Sequence, residues 1–257
     1  RTVFSCSILS VLGIGFAWAQ QPSPTTGFYQ FVGEDSASKH TIYHKEGVIA
    51  ENGMVASAHP VASEVGAKIL QLGGNAIDAA IAVKFALAVV YPAAGNIGGG
   101  GFLVYRDATG KSYSIDFREK APQKSHRDMY LDQDGNPIEG LSIHGGLASG
   151  VPGSVDGMLK VHQRFGSLPW KTLLAPAIDL AQRGVILTEK EARGLNSVTK
   201  TFKQYNSSPI AFIRQDQRAW HKGDTLLQPE LAKTLLRIQQ KGRKGFYQGK
   251  TASLIVA

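Results

Sequence analysis

The sequence predicts a layered α/β fold, and three observations carry that prediction. Asn75 to Val90 is apolar nearly all round, with Asp78 in its first turn and only Lys84 interrupting it later, the pattern of a helix buried on every side. It leads straight into Gly95-Asn96-Ile97-Gly98-Gly99-Gly100-Gly101, after which two short alternating runs follow around Asp107-Ala108-Thr109-Gly110 as a hairpin. Amphipathic helices are then predicted over Val155 to Arg164, Pro169 to Arg183 and Gln228 to Gln240. A buried helix against a hairpin begins a layered arrangement in which function sits at the loop between layers.

Residues 1–19 stand apart from this unit. Val3 to Ala17 is a nearly uncharged apolar run behind Arg1, and Ala17-Trp18-Ala19 has the small-x-small form of a secretory cleavage site. The other reading, a membrane helix that is never cut, meets a run too short to span comfortably. A start at Arg rather than Met implies a clipped leader. Cleavage after Ala19 removes Cys6, the only cysteine, which suits a bacterial periplasmic or secreted protein without disulfides, thiol nucleophile or thiolate metal site. Residues 20–46 read as an extended arm rich in Gln, Pro, Ser, Thr and Gly, and the folded region is expected over 47–257.

Within that region, Gly47 to Ala50 and Met54 to Ala58 read as short strands around an Asn52-Gly53 hairpin signal. His59-Pro60 opens a helix through Ala62, Val65, Ile69 and Leu72, which Gly73-Gly74 stops. Asp132 to Pro137 is a turn; the twelve-residue calcium pattern with its closing Glu is absent. Gly150-Val151-Pro152-Gly153 leads into the helix that follows. The chain ends at Ala257 in mid-pattern, and no internal repeat is present.

Net charge is +8 and unevenly spread: 14 acidic and 10 basic residues from Gln20 to Asp156, against 6 acidic and 17 basic from Gly157 onward. The basic residues are dispersed along amphipathic helices without interleaved aromatics, which argues against a nucleic-acid surface. They read as solvated faces or as the counterpart of an acidic segment outside this chain.

Four glycines in a row allow positive φ and close backbone approach, and the hairpin beside them ends near Arg118. Nucleotide-binding readings fail on order, because here a helix leads in and a strand leads out, and no Lys-Ser or Lys-Thr stands directly after the glycines. Tight backbone packing is the alternative use of these glycines. Arg118 likewise has two readings: a fork matched to a carboxylate, or a surface ion pair with Asp116, Glu119 or a distant acid. Ser149 and Ser154 lack the flanking glycines of a nucleophile elbow and read as loop and helix-start residues. None of His40, His44, His59, His126, His144, His162 and His221 has metalloprotease spacing, so no metal and no cofactor is predicted.

Five stretches carry a resemblance. Ala56-Ser57-Ala58-His59-Pro60 with Ala62-Ser63, Leu72-Gly73-Gly74-Asn75-Ala76-Ile77-Asp78-Ala79-Ala80, Gly95 to Phe102, Asp116-Phe117-Arg118-Glu119-Lys120-Ala121-Pro122 and Gly150 to Gly153 resemble, in order and spacing, the large subunit of bacterial γ-glutamyltransferases. The likeness extends from about Gly47 to the end. It implies an N-terminal nucleophile hydrolase with a four-layer αββα fold, made as a precursor that cuts itself into large and small subunits. The new N-terminal threonine then attacks the γ-glutamyl amide of glutathione, its own amine serving as base, and water or an amino acid or peptide resolves the acyl-enzyme. The family arginine that binds the donor α-carboxylate maps onto Arg118. The family's Thr-Thr-His processing site has no counterpart from Gly47 to Ala257, and only Thr25-Thr26 is present, in the arm. The nucleophile is therefore expected beyond Ala257, and this chain by itself is expected to be inactive. The partners implied are glutathione and related γ-glutamyl compounds, amino-acid or peptide acceptors and the small subunit of the same precursor, with no nucleic acid and no stable membrane insertion. A cephalosporin or glutaryl acylase on the same scaffold, and a non-catalytic carboxylate-binding protein, are the rival readings.

Overall fold

A computed structural model describes residues 49–206 and 208–256. The leader (1–19) and arm (20–46), with Cys6, Thr25, Thr26, His40 and His44, lie outside the described residues. From Ala50 onward the chain forms one compact unit.

The hairpin expected before His59 does not form among the described residues. Among the described residues Met54 to Ala58 has no ladder partner, while Gly47 and Val48 of the expected first strand lie outside them; Val55 sits in the notch left by the missing side chain of Gly66, beside Val83. Helix α1 (Pro60–Gln71) begins where His59 Nδ1 accepts from the Val61 N–H at 3.2 Å and Pro60 fills a position that needs no donor. Its end is a Schellman motif: the Gly73 N–H donates to the Leu70 carbonyl and the Gly74 N–H to that of Ile69, with Gly73 at φ 86°. Leu72, expected on the apolar face, is the cap residue and is 63% exposed.

Helix α2 (Ala76–Val90) is the centre of the fold. Asn75 Oδ1 accepts from the Ile77 and Asp78 N–H groups while the Asp78 carboxylate accepts from the Asn75 N–H, a closed capping box. The antiparallel hairpin follows as β1 (Phe102–Arg106) and β2 (Ser112–Asp116), with Leu103 opposite Ile115 and Tyr105 opposite Tyr113. Leu103, Tyr105, Tyr113 and Ile115 face inward, and Phe102 and Val104 face out. Then come α3 (Ser154–Phe165), α4 (Trp170–Arg183), β3 (Val185–Ile186), α5 (Glu189–Tyr205), β4 (Thr225–Leu226), α6 (Pro229–Lys241), α7 (Lys244–Tyr247) and α8 (Gly249–Val256). α2 packs on α1 and α4, and α4 packs in turn on α6. Their apolar faces meet in one core holding Ile81, Phe85, Val89, Leu173, Leu174 and Leu235, each contributing about 1.5–3 kcal/mol by leaving water.

Two devices join these helices to their loops. The buried Asp78 carboxylate accepts from the Ser167 N–H (3.1 Å), the Ser167 hydroxyl and the Leu168 N–H (3.2 Å), fixing the α3–α4 turn to the start of α2. The rings of Tyr105 and Tyr113 both pack on Phe165, centroids 5.1 and 4.9 Å away, which seats the hairpin on the end of α3. A second, smaller cluster holds Leu187, Ala192, Leu195, Trp220 and Leu226 where α5 meets the β3–β4 pair, itself antiparallel.

Candidate functional site

The glycine loop and the Asp116-Phe117-Arg118-Glu119 segment come together as a backbone-on-backbone joint. No glycine from Gly95 to Gly101 has positive φ, so conformational freedom is not why they are there. Proximity is. A Cβ on Gly100 would stand 2.6 Å from the Arg118 Cα and the Phe117 carbonyl oxygen, inside any real contact. The Phe117 N–H extends the hairpin ladder onto the Gly101 carbonyl at 2.9 Å.

From the other side, the start of α3 closes the joint. The Gly153 and Ser154 N–H groups both donate to the Gly99 carbonyl at 2.9 Å, replacing the side-chain cap that this helix lacks. Val151 and Lys120 exchange two backbone bonds, at 2.7 and 3.1 Å. The Arg118 main chain is thereby enclosed between residues 99–101 and 150–154. Ser154 occupies the helix start expected of it, buried, and Ser149 lies in the loop before it.

The Arg118 side chain stands outside this joint, 61% exposed. Its Nε donates to both Asp116 oxygens at 3.3 Å and its Nη2 to Oδ2 at 3.0 Å, while the Arg118 N–H donates to Oδ1 at 3.0 Å. The guanidinium carbon lies 4.7 Å from the centre of the Phe102 ring. Asp116 thus grips one edge of the fork and Phe102 covers one face, leaving Nη1 without a hydrogen-bond partner among the described residues. The bonds from Arg118 hold the Asp116 carboxyl below the usual carboxylate range, so the pair is fully ionised at neutral pH. Of the ion-pair partners expected for Arg118, it is Asp116 that engages it. That pairing occupies one edge of a guanidinium and is compatible with a carboxylate at the other.

Lys84, the one basic residue of α2, is half-buried. Burial pushes its ammonium down and the charge of Glu119 opposes that shift, which couples α2 to the same segment. Sequence reasoning singled out Arg118 and the glycines but not Phe102 as a platform. Its signal was available, since Phe102 and Asp116 are directly cross-strand in a hairpin of this register. An open groove of about 1110 Å³ runs along the far side of the loop, between Gly95 to Gly98 and Pro209 to Asp216, and Arg118 does not line it. Among the described residues no three His, Cys, Asp or Glu side chains cluster as metal ligands, and no helix is long and apolar enough to cross a membrane.

Comparison with known proteins agrees with the motif reading. The family model of gamma-glutamyltranspeptidase matches residues 62–257. A glutathione hydrolase proenzyme of Pseudomonas sp. strain A14 is 48% identical over 208 residues, covering 81% of this chain and 36% of that protein. The chain therefore spans about a third of the length of the curated relatives it matches. The crystal structure of Helicobacter pylori gamma-glutamyltranspeptidase superposes with a TM-score of 0.78 at 47% identity, over 81% of this chain and 60% of that one. A cephalosporin acylase from Bacillus halodurans shares the fold at greater distance, with a TM-score of 0.69 at 28% identity over 84% of this chain and 41% of that one. With the mixed helix-and-strand architecture and five ordered motifs, these matches establish that the chain belongs to the gamma-glutamyltranspeptidase family.

Proposed function

We propose that this chain is the large-subunit region of a glutathione hydrolase precursor in which Arg118 receives the α-carboxylate of the γ-glutamyl donor. The observation that carries the reading is the half-engaged guanidinium: Asp116 and Phe102 fix its plane and one edge, and the Nη1 side is left for a ligand with two parallel acceptors. Glutathione and other γ-glutamyl compounds present such a carboxylate at the end of the acyl group, several bonds from the scissile amide. The attacking threonine comes from the downstream small subunit, formed when the precursor cleaves itself. Its oxygen adds to the γ-carbonyl, the amide nitrogen leaves protonated, and water or an acceptor amine takes the acyl group. Secretion through the leader at 1–19, into the bacterial periplasm or medium, completes the reading, with amino acids or peptides as acceptors.

The test uses the full-length protein. Hydrolysis of γ-glutamyl-p-nitroanilide with a clear preference over glutaryl-p-nitroanilide is the expected result, and the reverse preference assigns the acylase activity instead. Replacing Arg118 with Lys supplies a point charge where a fork is needed, so donor KM should rise several-fold with kcat less affected. An unchanged KM removes Arg118 from the site. Residues 20–257 alone should show no turnover.

A further inference from the structure

Tyr247 belongs to none of the motifs that carry the family resemblance, yet its hydroxyl reaches the joint that holds Arg118. It donates to the Pro152 carbonyl at 2.7 Å and accepts from the Asp156 N–H at 3.3 Å, one of the first-turn amides of α3. Both bonds end on the four-residue stretch and helix start that press on the Arg118 main chain. On the opposite side of that stretch lie the Lys120–Val151 bridge and the Gly99 carbonyl, and Gly153 lies directly on the Phe117 carbonyl. Residues 151–154 are therefore a spacer, with Tyr247 behind it and Phe117-Arg118 in front.

The phenol is itself held in place. Arg243 stacks over its ring, guanidinium carbon 4.8 Å from the centre, while Arg243 Nε donates to Asp156 Oδ1 at 2.8 Å. The Phe246 ring meets it edge-on at 5.0 Å. Burial pushes the phenol up, so it remains a donor at neutral pH. A phenyl ring would keep both ring contacts and lose only the two hydrogen bonds to Pro152 and Asp156.

We propose that Tyr247 is a positioning residue for Arg118, setting the depth of the 151–154 spacer and through it the place where the guanidinium stands. The inference rests on the reading of Arg118 as the donor-carboxylate site.

The experiment measures γ-glutamyl-p-nitroanilide kinetics and thermal unfolding in the full-length enzyme for Tyr247→Phe, Arg118→Lys and the double variant. Removing the hydroxyl should raise donor KM about fivefold, the equivalent of one neutral hydrogen bond, with kcat changed less than KM. The double variant should raise KM by less than the product of the single effects, because both act on one group. A lowered melting temperature with unchanged KM, or strictly multiplicative effects, overturns the inference and makes Tyr247 a packing residue. Should Tyr247→Phe fail to fold, Arg243→Gln, which releases the ring but keeps the hydroxyl, carries the test: an unchanged KM overturns it. If Arg118→Lys itself leaves KM unchanged, the site reading has failed. If it raises KM while Tyr247→Phe does not, only the positioning role has failed.

Discussion

The α-carbon of Gly153 lies against the carbonyl oxygen of Phe117, so closely that a methyl group at Gly153 would overlap it. Neither partner can yield easily, because Gly153 is fixed by its bond to Gly99 and Phe117 by its bond to Gly101. Gly153→Ala should therefore destabilise the protein by about 1–3 kcal/mol, the usual cost of overpacking, and raise donor KM as well by displacing Arg118. Thermal unfolding and donor kinetics on the same variant check this. A stable variant with normal kinetics would show that the joint is looser than its geometry.

Gly194 provides the opposite case. It lies in the interior of α5, where an added Cβ would meet nothing within 4 Å beyond its own helix backbone and chain neighbours, and its φ is not in the left-handed region. Gly194→Ala should stabilise by about 0.5–1 kcal/mol through helix propensity alone. The two substitutions are chemically identical, so opposite shifts in melting temperature isolate the effect of the joint.

These two glycines also mark what was legible in the sequence. Local signals read correctly wherever a residue acts on its own neighbourhood: Asn75 and Asp78 at the start of α2, the stop at Gly73-Gly74, the hairpin around Asp107 to Gly110 and the turn at Asp132. The glycine run is legible as a close approach, but what Gly100 and Gly101 approach, Phe117 and Arg118, lies 16 to 18 residues away, and no periodicity encodes that distance. Met54 to Ala58 shows the same limit: alternation implies a ladder partner, and among the described residues Val55 packs into a glycine notch instead. α5 escaped notice although Thr188 and Glu191 stand at capping-box spacing before Ala192 and Leu195. At the site, Arg118 was legible by residue type, whereas the Asp116 grip and the Phe102 platform follow from strand register.

Asp78 should make the fold acid-sensitive in a predictable sense. Burial alone raises its carboxyl, but the Ser167 hydroxyl and the N–H groups of Asn75, Ser167 and Leu168 outweigh that and leave it below the ordinary value. A carboxyl lowered on folding stabilises above its unfolded value and loses that contribution as pH falls through the folded one. Asp78→Asn, which turns an amide toward groups that are all donors, should cost about 1–3 kcal/mol at pH 7. Denaturant unfolding of both proteins should show the gap narrowing below about pH 4. A gap that stays constant with pH would mean that the carboxylate charge contributes nothing.

His59 joins the first turn of α1 to the cap of α5. With Nδ1 accepting from the Val61 N–H, the neutral ring carries its proton on Nε2 and donates to Glu191 Oε1 at 3.0 Å. Glu191 Oε2 is already taken by the Thr188 N–H and hydroxyl, both at 2.7 Å, so Oε1 is the oxygen left for this link. Burial pushes the Glu191 carboxyl up, but the Thr188 bonds and His59 hold it below the usual range, which keeps it an acceptor at neutral pH. His59→Ala removes both functions and should cost about 1–2 kcal/mol for the cap alone, with the link in addition. Asn at this position can cap but is too short to reach Glu191, so His59→Asn should fall between wild type and His59→Ala. The difference between the two variants, measured by denaturant unfolding, is then the cap, and the shortfall of His59→Asn from wild type is the link to α5. If the Asn variant is as unstable as the Ala variant, the side-chain cap carries no weight and the contact with Glu191 is what holds α1 in place.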